Sequence, residues 1–185
     1  MIYVIDHEDS FTYNLVHILE NFAPTYVSNY YDIDIKKLEK SKIIVFSPGP
    51  GDPSHYPETQ KIYKKYKGTK KIIGICLGFQ QILYGENAKI VPQKKIYHGF
   101  QSKVKVLNSS KLFTPNKIFQ VGRYHSLKLK EPFNASSLNI TMRCIKTNVA
   151  MALEDTINDI YGYQFHPDSF LTVDGKFLIQ KIIQS

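Results

Sequence analysis

A chain of 185 residues, 43% hydrophobic and 22% charged with only Cys76 and Cys144 as cysteines, has the make-up of one compact domain spanning 1–185 and excludes a disulfide-stapled or low-complexity architecture. No apolar run approaches the roughly 20 residues that cross a bilayer, and Met1–Asp6 lacks a signal peptide's basic flank, so a cytoplasmic location with no membrane partner is expected. The formal charge of +8 is carried mostly by scattered lysines, Arg123 and Arg143 being the only arginines; without a nucleic-acid-binding motif it argues for a solvated surface and against a nucleic-acid partner.

In chain order, Ile2–Ile5 is a short apolar run of the kind buried on both faces of a parallel sheet. Ser10 is placed to cap a helix in which Phe11, Leu15, Ile18, Leu19 and Phe22 recur at helical spacing. Tyr26-Val27 begins a second strand and Ile43–Phe46 forms a third, followed by a Pro/Gly loop over 47–53. A polar helix is expected over Thr59–Tyr66, a fourth strand over Ile72–Ile75 running into Cys76, and a helix over Gln80–Tyr84. The stretch from about Ala88 to Phe165 carries several short strands with turn signals, which predicts an antiparallel extension. Within it, Ile160–Phe165 looks like a core strand. A last helix runs from Asp174 to Ile183, with Phe177, Leu178 and Ile182 expected on its buried side. Alternating strands and helices predict an α/β fold with a central mostly parallel sheet flanked by helices.

The segment Gly74-Ile-Cys-Leu-Gly78 lies between a strand and a helix. It has the form of a nucleophile elbow with cysteine in the reactive position. The sharp turn lifts the side chain above the sheet, flanking glycines remove Cβ atoms that would clash, and the helix N-terminus favours a thiolate. Taken alone, the pattern also fits an inert buried cysteine. Of the six histidines, His166 stands at the end of the Ile160–Phe165 run, where α/β folds place their sites, and Asp168 follows two residues later. Together with Cys76 these complete a Cys/His/acid set. The loop Pro48-Gly-Pro-Gly51 is either a second source of oxyanion donors or a tight surface turn. No spacing of ligands suits a metal, and neither metal nor cofactor is expected.

These motifs resemble the class I, or triad, glutamine amidotransferases, whose flavodoxin-like fold is then implied. More closely, the chain is similar to the small subunits of anthranilate synthase (component II) and of aminodeoxychorismate (para-aminobenzoate) synthase. The resemblance runs through Ile5-Asp-His-Glu-Asp-Ser-Phe-Thr-Tyr-Asn-Leu15, Ser47–Gly51, Gly74–Gln80, His98-Gly99, Gly122-Arg-Tyr-His-Ser-Leu127 and Gln164-Phe-His-Pro-Asp-Ser169. It implies that Cys76 attacks the amide of L-glutamine and forms a thioester, with His166 as base and acid and Asp168 as its orienter. It implies an oxyanion hole at Gly51 and Leu77, and glutamine held by Gly49, Pro50, Gly51, Gln80, Ser126 and Leu127. Asp9 and Ser10 would lie near a partner interface or ammonia exit. The implied partner is a large chorismate-binding synthase subunit, because no such domain fits in 185 residues.

Three departures stand out. Asp168 replaces the family's usual glutamate and loses one methylene of reach, so its bond to His166 is expected to be longer, bridged by water, or made after a small loop shift. Activity is then expected to be reduced and not abolished. Phe79 replaces a common histidine, read as a packing change, and Phe100 stands where His-Gly-Lys is usual. Two other readings remain at this level: an amidotransferase for another acceptor, and a catalytically weakened regulatory or interaction subunit.

Overall fold

The computed structural model describes residues 1–185. Strand β1 (Ile2–Asp6) is buried throughout. Its alternate side chains feed two separate cores, Ile2 and Val4 on one side, Tyr3 and Ile5 on the other, as the two-residue period of a strand requires. It pairs in parallel with β2 (Thr25–Asn29) and β3 (Ile43–Phe46); β3 pairs with β4 (Lys71–Ile75), and β4 with β11 (Ile160–Tyr163). The order β2-β1-β3-β4-β11 is the doubly wound, flavodoxin-like arrangement.

Helices cover both faces. On one, α1 (Thr12–Glu20) and α5 (Gly175–Ile183) contribute Leu15, Leu19, Leu178, Ile179 and Ile182 to the core with Val45 and Ile73. On the other, α2 (Ile35–Lys40), α3 (Pro57–Tyr66) and α4 (Leu77–Gly85) contribute Leu38, Ile62, Tyr63, Phe79, Ile82 and Leu83. The predicted antiparallel extension continues the same sheet through β10 (Ala150–Asp155), β9 (Asn139–Cys144), β6 (Phe100–Val106) and β7 (Ile118–Arg123). A separate pair, β5 (Ile90–Pro92) and β8 (Leu127–Leu129), closes one end. No helix is long and apolar enough to cross a membrane.

The structure corrects several local expectations. Ser10 does not cap α1: Phe11 occupies the cap position without a side-chain bond, and Asp9 Oδ1 instead accepts the Phe11 N–H at 2.8 Å. Phe177 is 36% exposed and meets Phe113 and Phe119 only at the edge of the core, while Ile179 takes the buried place. Leu178, Ile179 and Ile182 form a compact stripe on the helix, and Phe177 falls one position off it. Helix α4 begins at Leu77, a turn before the expected Gln80. Helix α2 has no apolar periodicity to announce it; Leu38 is its one buried residue, and Asp34 caps its N-terminus through the Lys37 N–H.

Candidate active site

Strand β4 delivers Cys76 and helix α4 departs from it. Cys76 has φ +53°, a conformation that costs an L residue roughly 1–3 kcal/mol and persists only where its surroundings impose it. Those surroundings are close-packed backbone. A Cβ at Gly74 would meet the Gly78 carbonyl oxygen at 2.3 Å, and one at Gly78 would meet the Phe46 carbonyl oxygen at 2.1 Å. Both glycines are therefore required for helix and sheet to approach. The Cys76 N–H donates to Tyr163 O at 2.8 Å, and no side chain caps the first turn of α4 behind the thiol.

His166 follows β11 and is bridged to β7, its N–H donating to Gly122 O at 3.0 Å. Thr172 Oγ1 donates to His166 O and accepts the Gly122 N–H at 2.9 Å, so one hydroxyl ties the two segments together. The imidazole sits between the rings of Phe11 and Tyr124, with centroids 5.3 and 4.9 Å away. Its Nδ1 lies 3.3 Å from Asp168 Oδ2, at the long end for a hydrogen bond. The contact is direct, although the aspartate is a methylene shorter than glutamate. Burial pushes the pKa of His166 down, but the neighbouring Cys76 sulfur and the Asp168 carboxylate outweigh it and hold it well above its usual value. The Nε2 nitrogen has no hydrogen-bond partner and remains open for proton exchange.

Cys76 opens on a cavity of about 130 Å³, whose lining includes Gly49, Pro50, Gly51, Leu77, Gln80, Ser126 and Leu127. Tyr124 and His125 complete it, while His166 and Asp168 are not on its wall. All six residues expected to hold glutamine thus surround one space beside the thiol. A larger cleft of about 760 Å³ between α3, the end of α4 and β5 contains neither cysteine nor histidine.

The Pro/Gly loop is held from beneath. The His7 N–H donates to Ser47 Oγ at 2.8 Å, the Ser47 hydroxyl donates to Pro48 O at 2.6 Å, and the Tyr56 hydroxyl donates to Pro50 O at 2.7 Å. His7 is fully buried, with Nε2 2.9 Å from Thr59 Oγ1, and burial lowers its pKa to about 3. A Cβ at Gly49 would meet His7 Cβ at 2.5 Å and Leu77 Cδ2 at 2.6 Å, so this loop packs directly onto the start of α4. Gly51 has φ +76°, a region suited to glycine.

Sequence reasoning missed several participants. Gln164 donates through Nε2 to Cys76 O at 3.3 Å and accepts from Gln80 Nε2 at 3.1 Å, linking the thiol's backbone to the cavity wall. Its position two residues before His166 on an extended segment was a usable signal, because that spacing puts both on one face. Phe11 and Tyr124, which clamp His166, carry no chemistry of their own and gave no such signal. Ser10 and Asp9 lie at the turn leading into α1, next to Phe11.

The family model for glutamine amidotransferase class-I matches residues 3–184. Anthranilate synthase component 2 of Lactococcus lactis subsp. lactis (strain IL1403) is 36% identical, covering 99% of this chain and 93% of that protein. The protein of the same description from Helicobacter pylori (strain ATCC 700392 / 26695) is 34% identical, covering 98% of this chain and 95% of its own length. The bifunctional protein TrpGD of Thermotoga maritima is 36% identical over 97% of this chain, which corresponds to 31% of that longer protein. Among solved structures, a putative GMP synthase component from Thermoplasma acidophilum aligns with TM-score 0.84 and 23% identity, covering 99% of this chain and 92% of that one. At that identity the likeness speaks for the fold alone.

Proposed function

The chain belongs to the class I glutamine amidotransferases, and from that membership we propose that it is the glutaminase subunit of a chorismate-using synthase. The observation that carries this reading is the strained Cys76 turn, with the His166–Asp168 pair beside it and the glycine-lined cavity in front. Cys76 gives its proton to His166, and the sulfur attacks the side-chain amide carbon of L-glutamine. The oxyanion is met by the N–H groups of Gly51 and Leu77. His166 passes the proton to the leaving nitrogen, ammonia departs, and a glutamyl thioester remains. Water, deprotonated by His166, then attacks the thioester; glutamate leaves and the thiol is restored. Asp168 orients His166 and supports its charge. Gly49, Pro50, Gln80, Ser126 and Leu127 hold the glutamine. The whole of 1–185 acts as one domain in the cytoplasm, without metal or cofactor of its own.

The ammonia goes to a separate large subunit. Relatives described as anthranilate synthase component 2, matching almost end to end, favour anthranilate as the product. Para-aminobenzoate synthesis uses the same donor chemistry and is the other acceptor to test. An apolar rim supports docking near the thiol: Phe170 and Val173, on the loop following His166–Asp168, are 87% and 71% exposed. Tyr13, two residues beyond the His166-clamping Phe11, is 68% exposed.

The test mixes the chain with large subunits of both synthases, chorismate and glutamine. Product that requires glutamine and is lost in Cys76→Ala supports the proposal, and its identity names the pathway. Synthesis from free ammonia with none from glutamine, in every pairing, would overturn it in favour of an inactive homologue.

A further inference from the structure

Arg123, the last residue of β7, is fully buried, yet no carboxylate pairs with it. A buried charge without a counter-ion is costly and calls for specific compensation. Here every partner is neutral or soft. Its Nε donates to His125 Nε2 at 3.1 Å, Nη2 to Gln93 Oε1 at 3.3 Å, and Nη1 reaches Cys144 Sγ and Thr147 Oγ1, each at 3.5 Å. The guanidinium also lies over the ring of Tyr97, 3.7 Å from its centroid.

The bond to His125 has a chemical consequence. A guanidinium has donors only, so Nε2 of His125 must accept, which places the imidazole proton on Nδ1. Nδ1 lies 2.8 Å from Leu127 O and donates to it. The same carbonyl faces the Gln80 amide nitrogen at 3.5 Å. Gln93 secures the segment from its other side: its own N–H donates to Ser126 O at 2.9 Å, and its amide nitrogen donates to His125 O. Residues 124–127 form the cavity wall opposite the Gly49–Gly51 loop.

We infer that Arg123 and His125 are positioning residues for glutamine: the buried guanidinium fixes the tautomer of His125, and that tautomer anchors the Ser126–Leu127 backbone against which the substrate rests. This deepens the proposed function and rests on it. Neither residue contacts the thiol in this arrangement, so the effect falls on substrate affinity more than on turnover. Burial keeps His125 neutral, its pKa lowered to about 3, so the anchor is insensitive to pH across the neutral range.

Two measurements test it. Long-range 1H–15N correlation spectra of the full chain should show His125 protonated at Nδ1 and bare at Nε2 from pH 8 to pH 5, and should lose that preference in Arg123→Met. A proton on Nε2 in the unmodified chain would overturn the inference. In glutamine-dependent assays of the complex, His125→Ala should raise KM for glutamine by about 10- to 100-fold with kcat changed by less than about threefold. His125→Asn, which returns an N–H near the place of Nδ1, should recover most of the affinity, whereas His125→Gln should not. If His125→Ala does not fold, the Asn and Gln variants decide alone. Unchanged KM, or Asn and Gln variants equally impaired, would overturn the positioning role while leaving the glutaminase reading intact. An unmodified complex inert towards glutamine would overturn both.

Discussion

Asp168 reaches His166 across a single intervening residue, Oδ2 lying 3.3 Å from Nδ1 with both side chains shut off from solvent. The pairing is direct but long, and Asp168 Oδ1 has no partner of its own. Burying a carboxylate so sparsely bonded is tolerable only while it faces a cation, and the imidazolium is the cation available.

That relationship sets the first expectation. In the synthase complex, Asp168→Asn should lower glutamine-dependent kcat by on the order of 10²–10³, less than the loss in Cys76→Ala. Asp168→Glu, with the extra methylene, should retain activity within about threefold of the unmodified chain. Steady-state assays with glutamine and with free ammonia distinguish the two steps, since the ammonia-dependent rate should not change.

The raised pKa of His166 predicts a loss of stability on the alkaline side. A folded-state pKa above the unfolded value of about 6.5 means that the native chain holds the proton more tightly. The contribution is complete below the unfolded pKa and disappears as pH rises through the folded one. Urea unfolding between pH 6.5 and pH 9 should show a steeper decline for the unmodified chain than for Asp168→Asn, in which one of the raising groups is gone. Parallel profiles would contradict this account of His166.

His7 makes the opposite prediction. Burial depresses its pKa to about 3, so below about pH 6.5 the unfolded chain takes up a proton that the native chain refuses. Stability should fall on acidification. His7→Asn has nothing to titrate in that window, and the stability difference between it and the unmodified chain should shift by about 2–3 kcal/mol in the variant's favour from pH 7 to pH 4.5. Chemical denaturation at the two pH values measures it.

Gly78→Ala should be among the most damaging single-methyl additions in the chain. Its Cβ would fall 2.1 Å from Phe46 O, a backbone atom that cannot rotate away. A loss of about 2–4 kcal/mol, or roughly 4–15 °C in Tm, is expected by calorimetry. Lys64→Ala, at an exposed position of α3, should be nearly silent by comparison.

Phe170 tests the docking rim. At 87% exposed it contributes little to the fold. Phe170→Asp should leave Tm within about 2 °C of the unmodified chain while weakening association with the large subunit at least tenfold. Titration calorimetry or analytical ultracentrifugation would detect this, and unchanged affinity would move the interface elsewhere.

The apolar runs by themselves determined the parallel half of the sheet. Ile2–Ile5, Ile43–Phe46 and Ile72–Ile75 had no other stable use than strands buried on both faces, and each is found as such. Gly74-x-Cys-x-Gly78 announced the elbow because only missing Cβ atoms let the helix lie that close to the strand. Other features depended on contacts far apart in the chain. Nothing local predicts that β6, β7, β9 and β10 extend the same sheet, since short alternating strands are compatible with many registers. The clamp of Phe11 and Tyr124 on His166 and the Gln80–Gln164 link join residues from distant parts of the chain, and the burial of Arg123 sets a charge against neutral neighbours with no carboxylate near it. Periodicity carries information about which face a residue occupies; only the packed chain decides which distant side chain meets it there, because that choice is made by close packing across the core and by the need to satisfy each buried donor and acceptor.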